Sequence, residues 1–154
     1  MMSGKMRIAA VFLLIIPLQA SIFSQTVHCS HAAAEKADYE ASRVRSWDKL
    51  YHSYLRYSGC DDGSIAEGYS DSVVRLFAHH WDTLSLALPL FRADAGFHRF
   101  VLRHIDSTTK DDDLKLTREN AIHSCPIGGN EECIEIRKAA EHALRDSGTP
   151  VPKK

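Results

Sequence analysis

The sequence has no excess of charge of either sign. Its 19 lysines and arginines stand against 20 aspartates and glutamates, which gives a formal net charge of −1. A chain so close to neutral has no overall electrostatic attraction to nucleic acid or to an anionic membrane. We therefore expect neither as a partner, and any electrostatic steering must come from local patches.

The sequence also lacks the short motifs that mark common enzyme sites. It has no nucleophile elbow, phosphate-binding loop or zinc-protease helix, and its cysteines form no Cys-x-x-Cys pair. A helical domain of this size needs a clear constellation of reactive side chains before an enzymatic activity is assigned to it. We therefore expect an exported binding module that is not an enzyme and carries no cofactor.

No apolar run is long enough to span a membrane. The run from Ile8 to Leu18 holds 11 residues, against the roughly 18 or more that a spanning helix needs. It follows Lys5 and Arg7, and no acidic residue occurs before Glu35. This pattern predicts a secretory signal peptide, hence a periplasmic protein that contacts no membrane once the leader is removed.

Two cleavage points for the leader remain open. Cleavage after Ala20 keeps Cys29 in the mature protein, whereas cleavage after Ala34 removes it. We expect residues 1–34 to form the signal peptide and leader, residues 35–146 one helical domain, and residues 147–154 a disordered tail.

The spacing of apolar residues is helical through almost all of the remaining sequence. No alternating β pattern or hairpin dipeptide competes with it. This predicts an all-α fold, a compact bundle of five to six short helices stabilised by disulfides. The first helix is predicted from Glu35 to about Tyr57. The buried stripe of the fourth is predicted to consist of Phe97, Phe100, Val101 and Ile105.

Capping and stop signals place the helix ends. Ser64 and Glu67 form a capping box at the predicted start of the second helix. Asp82 is placed to cap the third helix, which Pro89 is expected to end. Asp94 is placed to cap the fourth.

The four cysteines lie at or near predicted helix ends, which suits structural disulfides in an exported protein. Cys125 closes the fifth helix and Cys133 lies in the first turn of the sixth, which Asn130 is expected to cap. A bridge between these cysteines would clip two helices at their corner, and Cys60 would pair with Cys29 if that residue survives cleavage. The alternative is a bridge between Cys60 and Cys125, with Cys133 free or paired otherwise.

Nine histidines raise an alternative function, an exported metal-binding or other envelope protein. The adjacent His79 and His80 point in different directions on a helix. His98 and His104 are six residues apart, which does not place them on neighbouring turns of one face. We therefore expect no metal site, and we expect His104 to be a hydrogen-bonded core residue.

Several segments together resemble a known family. They are CDDGSIAEGYSDSVVRLFAHHWDTL (Cys60 to Leu84), FHRFVLRHIDSTT (Phe97 to Thr109), Asn120-Ala121 and Cys125-Pro126. They resemble the periplasmic immunity proteins that inhibit cell-wall amidase effectors of the type VI secretion system. The resemblance covers about residues 47–126. It implies a small helical protein, often a homodimer, that binds a secreted peptidoglycan amidase and occludes its Cys/His catalytic groove.

Acidic turns are the candidate partner-binding residues. A row of aspartates can pair with a basic rim on a partner, although acidic residues at a helix start are also favoured by the helix dipole. The loop leading into the fifth helix is the first candidate, and the turn before the second helix is the other. Their residues are Asp106, Asp111, Asp112 and Asp113 for the loop, with Asp61 and Asp62 for the turn.

Overall fold

The computed structural model describes residues 29–151, where seven α-helices and two 3-10 turns occur and no strand is found. The helices are α1 (His31–Ala41), α2 (Trp47–Tyr57), α3 (Gly63–His79), α4 (Leu84–Ala93), α5 (Ala95–Arg103), α6 (Asp111–His123) and α7 (Asn130–Asp146). The 3-10 turns are Ser58–Cys60 and Trp81–Thr83. The predicted all-α, disulfide-stabilised fold is confirmed. The predicted apolar leader and the cleavage point after Ala20 lie outside the described residues, as do residues 152–154.

The first predicted helix, Glu35 to Tyr57, is in fact two helices. The backbone of Ser46 is extended, and its Oγ accepts a backbone N–H from the first turn of α2 at 3.4 Å. From α3, the Arg75 guanidinium donates to the carbonyl oxygens of Ser42 at 3.1 Å and Val44 at 3.0 Å. A continuous helix would use these carbonyls internally, so the long-range contact of Arg75 stabilises the break.

The capping box predicted at Ser64 and Glu67 is wrong. Asp62 caps α3 instead, because its backbone is extended and its Oδ1 accepts the N–H of Gly63 at 2.9 Å. The Ser64 hydroxyl donates to Asp38 of α1 at 3.0 Å. The serine therefore links two helices rather than capping one.

The predicted start and end of the third helix are also wrong. Asp82 lies inside the 3-10 turn before α4 and caps nothing, while Pro89 lies inside α4 without ending it. Proline removes one backbone hydrogen bond from a helix. The buried side chains of Leu88 and Phe91, on either side of it, pack that turn of α4 into the core.

One of the two remaining predicted caps is correct. Asp94 caps α5, because its Oδ1 accepts the backbone N–H groups of Gly96 at 2.8 Å and Phe97 at 3.0 Å. Asn130 is instead the first residue of α7, and the preceding Gly129 has no side chain with which to cap it.

The core is centred on the predicted stripe of α5, which is confirmed. Its members are at most 4% exposed, namely Phe97, Phe100, Val101 and Ile105. The ring of Phe100 lies 5.1 Å from that of Tyr69 and 4.4 Å from that of His104 between centroids. The aromatic core thus borders directly on a buried polar group.

Two disulfides cross-link the chain. They join Cys29 to Cys60 and Cys125 to Cys133, and no free cysteine remains among residues 29–151. This is the first of the two pairings considered from the sequence. Structural disulfides of this kind indicate a location outside the reducing cytoplasm.

The chain after α7 packs back on the domain as far as residue 151. The Thr149 backbone N–H donates to the carbonyl of Leu144 at 2.9 Å, its hydroxyl donates to Asp111, and Val151 packs against the core. The first five residues of the segment expected to be disordered are therefore held. Among the described residues, no helix combines the length and apolar character needed to cross a membrane.

Replacing Phe100 with alanine tests the core assignment. Phe100→Ala should lower the free energy of unfolding by about 3–5 kcal/mol, because a buried aromatic side chain is lost and a cavity is left. Leu86→Ala is the control, since Leu86 is 68% exposed and should change stability by no more than about 0.5 kcal/mol. Urea unfolding measures both, and equal effects would contradict the assignment.

The two disulfides should contribute unequally. They span 31 and 8 residues of sequence, so loop-closure entropy predicts contributions of about 4 and about 2.5 kcal/mol respectively. The double replacement of Cys29 and Cys60 by alanine should therefore lower the melting temperature more than that of Cys125 and Cys133. Thiol titration of the unfolded, non-reduced protein should find no reactive cysteine, and free thiols would contradict the bridges.

Candidate functional site

The candidate loop from Asp106 to Asp113 is anchored to α3 at both ends. Asp106 Oδ2 accepts the hydroxyl of Ser70 at 2.6 Å, and Asp113 Oδ1 lies 2.8 Å from Nε2 of His79. Ser70 and His79 are nine residues apart in α3, which is about 14 Å along a helix axis. The loop therefore runs along the second half of α3.

A buried polar network lies at the first of these anchors. Nδ1 of His104 is 3.0 Å from the hydroxyl oxygen of Ser70, and its Nε2 lies 3.1 and 3.2 Å from the two carboxylate oxygens of Asp61. Arg103 also pairs with Asp61. His104 is 2% exposed and Ser70 1%, so this network is shielded from water.

The geometry of the network sets the directions of its hydrogen bonds. The Ser70 hydroxyl has a single proton, and the short contact to the Asp106 carboxylate directs that proton toward Asp106. Ser70 therefore accepts from Nδ1 of His104, while Nε2 of His104 lies against the Asp61 carboxylate. Two basic side chains, His104 and Arg103, thus face Asp61.

The surroundings of Asp61 favour its charged form. Burial alone raises the pKa of a carboxyl group, but hydrogen bonds and charge from His104, then from Arg103, outweigh it and hold the pKa of Asp61 below its usual value. The carboxylate is thus a fixed anion at neutral pH.

A serine, a histidine and an aspartate in contact invite comparison with a catalytic triad. In a triad the histidine accepts the serine proton, which activates the hydroxyl as a nucleophile. Here the proton of Ser70 points to Asp106 and Nδ1 of His104 already carries its own. The buried Ser70 hydroxyl therefore serves as a hydrogen-bonded link between two parts of the chain.

The remaining acidic candidates differ in their contacts with the rest of the protein. Asp111 accepts the hydroxyl of Thr149, and this hydrogen bond together with one from Ser147 lowers the pKa of its carboxyl group. Asp62 caps α3, while Asp112 is 93% exposed and pairs only with Lys115 at 3.0 Å. Of the three consecutive aspartates, Asp112 is thus the one directed fully to solvent.

The loop itself is ordered by Asp106. Its Oδ1 accepts both the backbone N–H of Thr108 at 2.9 Å and the hydroxyl of the same residue at 2.5 Å, while its carbonyl accepts the Thr109 hydroxyl at 2.9 Å. The residues that face solvent are Ser107, Thr108, Lys110 and Asp112. The outer face of the loop is therefore polar and mixed in charge rather than purely acidic.

Asp61, Asp106 and His104 were each singled out in the sequence, but their arrangement in one hydrogen-bonded network was not predicted. Ser70 is separated from His104 by 34 residues of sequence, and His104 from Asp61 by 43. The contiguous Arg-His-Ile-Asp segment signalled three of the partners. The serine that joins them lies in the quoted segment Cys60 to Leu84, but nothing in the sequence indicated that it contacts His104.

The histidines are distributed as single pairs with acids. Seven of those described each lie within 4 Å of one carboxylate, as in His98 with Glu135 and His142 with Asp146. No group of three or more metal-ligating side chains occurs among the described residues.

Comparisons of the chain with protein-family models, with curated proteins and with solved structures gave no match.

The depressed pKa of Asp61 makes stability dependent on pH. A carboxyl group whose pKa is lower in the folded than in the unfolded state stabilises the fold above the unfolded pKa of about 4, and this contribution is lost as the pH falls further. Asp61→Asn should therefore lower stability at neutral pH and flatten the acid side of the stability profile. Asp112→Asn, at an exposed site, should keep the parent profile. Parallel profiles for Asp61→Asn and the parent protein would contradict the role of Asp61.

Proposed function

We propose that the chain is a periplasmic immunity protein that binds a secreted peptidoglycan amidase of the type VI secretion system and occludes its active-site groove. One observation carries the proposal. Two of the segments behind the family resemblance supply the buried network. Asp61 and Ser70 come from the segment Cys60 to Leu84, and Arg103, His104 and Asp106 come from the segment Phe97 to Thr109.

The role proposed for this network is to fix two surface turns. Asp61 belongs to the turn before α3, and Asp106 begins the loop before α6. An inhibitor loses affinity when the element that enters its target must first be ordered. Joining both turns to one buried histidine removes much of that cost, so the turns are held ready for binding.

The outer face of the loop before α6 is the proposed contact with the amidase. Ser107 and Thr108 are exposed on this face, and the exposed Lys110 and Asp112 follow them in the chain. Such a face can fill a polar groove while its rim charges steer the encounter. The inhibition proposed here is steric and needs no chemistry from the inhibitor.

Export to the periplasm agrees with the covalent structure. The disulfides require an oxidising compartment. Cleavage after Ala34 would cut within α1 and remove Cys29, whose bridge to Cys60 ties that helix to the domain. We therefore propose that the leader is cleaved upstream of Cys29, and the candidate point after Ala20 meets this condition.

A substitution on the loop tests the proposed contact. Ser107→Trp should abolish inhibition of the amidase encoded in the neighbouring reading frame, because a large side chain at the tip cannot enter the same groove. Ser85→Trp is the control, since Ser85 is an exposed serine on α4. Clearance of purified peptidoglycan measures inhibition, and far-ultraviolet circular dichroism reports folding.

Two results would overturn the proposal at different levels. If the neighbouring frame encodes no secreted amidase, or the parent protein does not inhibit that enzyme, the immunity function is wrong. If the parent inhibits and Ser107→Trp inhibits equally well, the function stands and the loop is not the contact.

A further inference from the structure

Positive charge is concentrated in one short stretch of an otherwise nearly neutral chain. The stretch comprises the link after α1 and the whole of α2. Residues 42–57 contain four basic side chains and a single acidic one, namely Arg43, Arg45, Lys49 and Arg56 with Asp48. A local patch of this kind is where a protein without much net charge can attract an anion.

Three of these basic side chains line an open groove between α1 and α2. The groove has a volume of about 370 Å³, and its lining includes Arg43, Lys49 and Arg56. Lys49, His52 and Arg56 are three and four residues apart, which places them on one face of α2. The basic face of α2 is thus turned toward the groove.

The α1 side of the groove is aromatic. Tyr39 is 66% exposed, and the Arg43 guanidinium lies 4.2 Å from the centre of its ring. Nη1 of Arg43 donates to the carbonyl oxygen of Tyr39 at 2.7 Å, which holds the guanidinium in this position. The buried Val44 also contributes to the lining. The groove therefore presents an apolar surface beside its charges.

The protein neutralises only some of these basic side chains. Arg56 donates to Oε2 of Glu40 at 2.8 Å, and the Ser53 hydroxyl donates to the same oxygen at 3.4 Å. Arg43 and Lys49 have no ion-pair partner among residues 29–151. Within the same residues the ammonium group of Lys49 forms no hydrogen bond, since only its backbone N–H does.

This distribution of charge selects the kind of anion that fits. Because Glu40 cancels the charge of Arg56, that end of the groove has no net attraction for an anion. A ligand with negative charge along its whole length, such as a polyphosphate, is therefore a poor match. A peptide with one carboxylate and an adjoining apolar side chain is a good match, because its charge and its apolar surface are both local.

We propose that this groove binds short peptides through a single carboxylate, which Arg43 and Lys49 hold while an adjoining apolar side chain packs on the ring of Tyr39. Both cations can donate charge-assisted hydrogen bonds to the carboxylate. The Arg43 guanidinium is already positioned by the Tyr39 carbonyl, so little side-chain freedom is lost on binding. The groove uses no residue of the loop before α6, and the proposal does not depend on the proposed function.

Three matched peptides test the chemistry of the ligand. They are acetyl-Gly-Leu-Glu-amide with a side-chain carboxylate, acetyl-Gly-Leu-Gln with a terminal carboxylate, and the neutral acetyl-Gly-Leu-Gln-amide. At low ionic strength at least one charged peptide should bind about tenfold more tightly than the neutral one. Changes in amide NMR shifts measure the dissociation constants and should be centred on residues 39–56. The charged peptide that binds more tightly identifies the source of the carboxylate.

Replacing Lys49 tests the assigned charge without removing a hydrogen bond of the fold. Lys49→Gln should raise the dissociation constant of the preferred charged peptide about tenfold and leave that of the neutral peptide unchanged. Lys138→Gln is the matched control, because Lys138 is an exposed lysine of α7 and should bind both peptides as the parent does. Circular dichroism should show both variants as helical as the parent.

A thermodynamic cycle tests the apolar contact with Tyr39. Tyr39→Ala should weaken binding of the preferred charged peptide, and replacing its leucine with glycine should weaken binding to the parent protein. If the leucine packs on Tyr39, the two changes together should weaken binding by less than the product of their separate effects. Independent effects would contradict the contact.

The remaining outcomes decide the proposal as a whole. It is overturned if neither charged peptide binds more tightly than the neutral one, or if Lys49→Gln binds the charged peptide as the parent does. Equal losses in Lys49→Gln and Lys138→Gln would show attraction by overall charge rather than a site. Tighter binding of inorganic phosphate than of either charged peptide would likewise overturn the assignment of the ligand.

Discussion

The hydrogen bonding of buried His104 is the constraint on which much of the fold depends. A polar side chain in an apolar interior is costly unless it is hydrogen-bonded. Asp61 and the Ser70–Asp106 link provide its partners, and they come from the turn before α3, from α3 itself and from the loop after α5. Because His104 needs all of them, the positions of these turns and of α3 and α5 are set together. The aromatic rings of Tyr69 and Phe100 beside it exclude water and strengthen the interaction.

The same network shows how a set of catalytic residue types can serve a structural purpose. What distinguishes the two uses is the direction of each proton rather than the identity of the side chains. The Ser70 hydroxyl donates its hydrogen bond to Asp106, so it does not donate to His104 as a nucleophilic serine donates to its general base. The presence of a second carboxylate, two residues after the histidine, turns a serine–histidine–aspartate set into a structural network.

Local signals in the sequence were sufficient for much of the fold. The periodicity of α5, the cap at Asp94 and the location of the cysteines at helix ends each depend on neighbouring residues, and each agrees with the structure. The break before α2 and the role of Ser64 depend on Arg75 and Asp38, which are distant in sequence. The candidate site likewise combines residues that the sequence indicated with contacts that it did not. Asp106 was visible in a quoted segment, whereas the link through Ser70 follows only from packing.

The Cys29–Cys60 bridge can form before the later helices fold. The loop can close as soon as residues 29–60 are in an oxidising compartment, before α3 to α7 fold. Both partners lie in the first 32 described residues, so the cross-link needs none of the later helices to bring its ends within reach. Under reducing conditions the bridge is absent, and α1 is no longer covalently tied at its start. The same sequence is therefore less stable in a reducing compartment than in an oxidising one, so the stability of the fold depends on where the chain is.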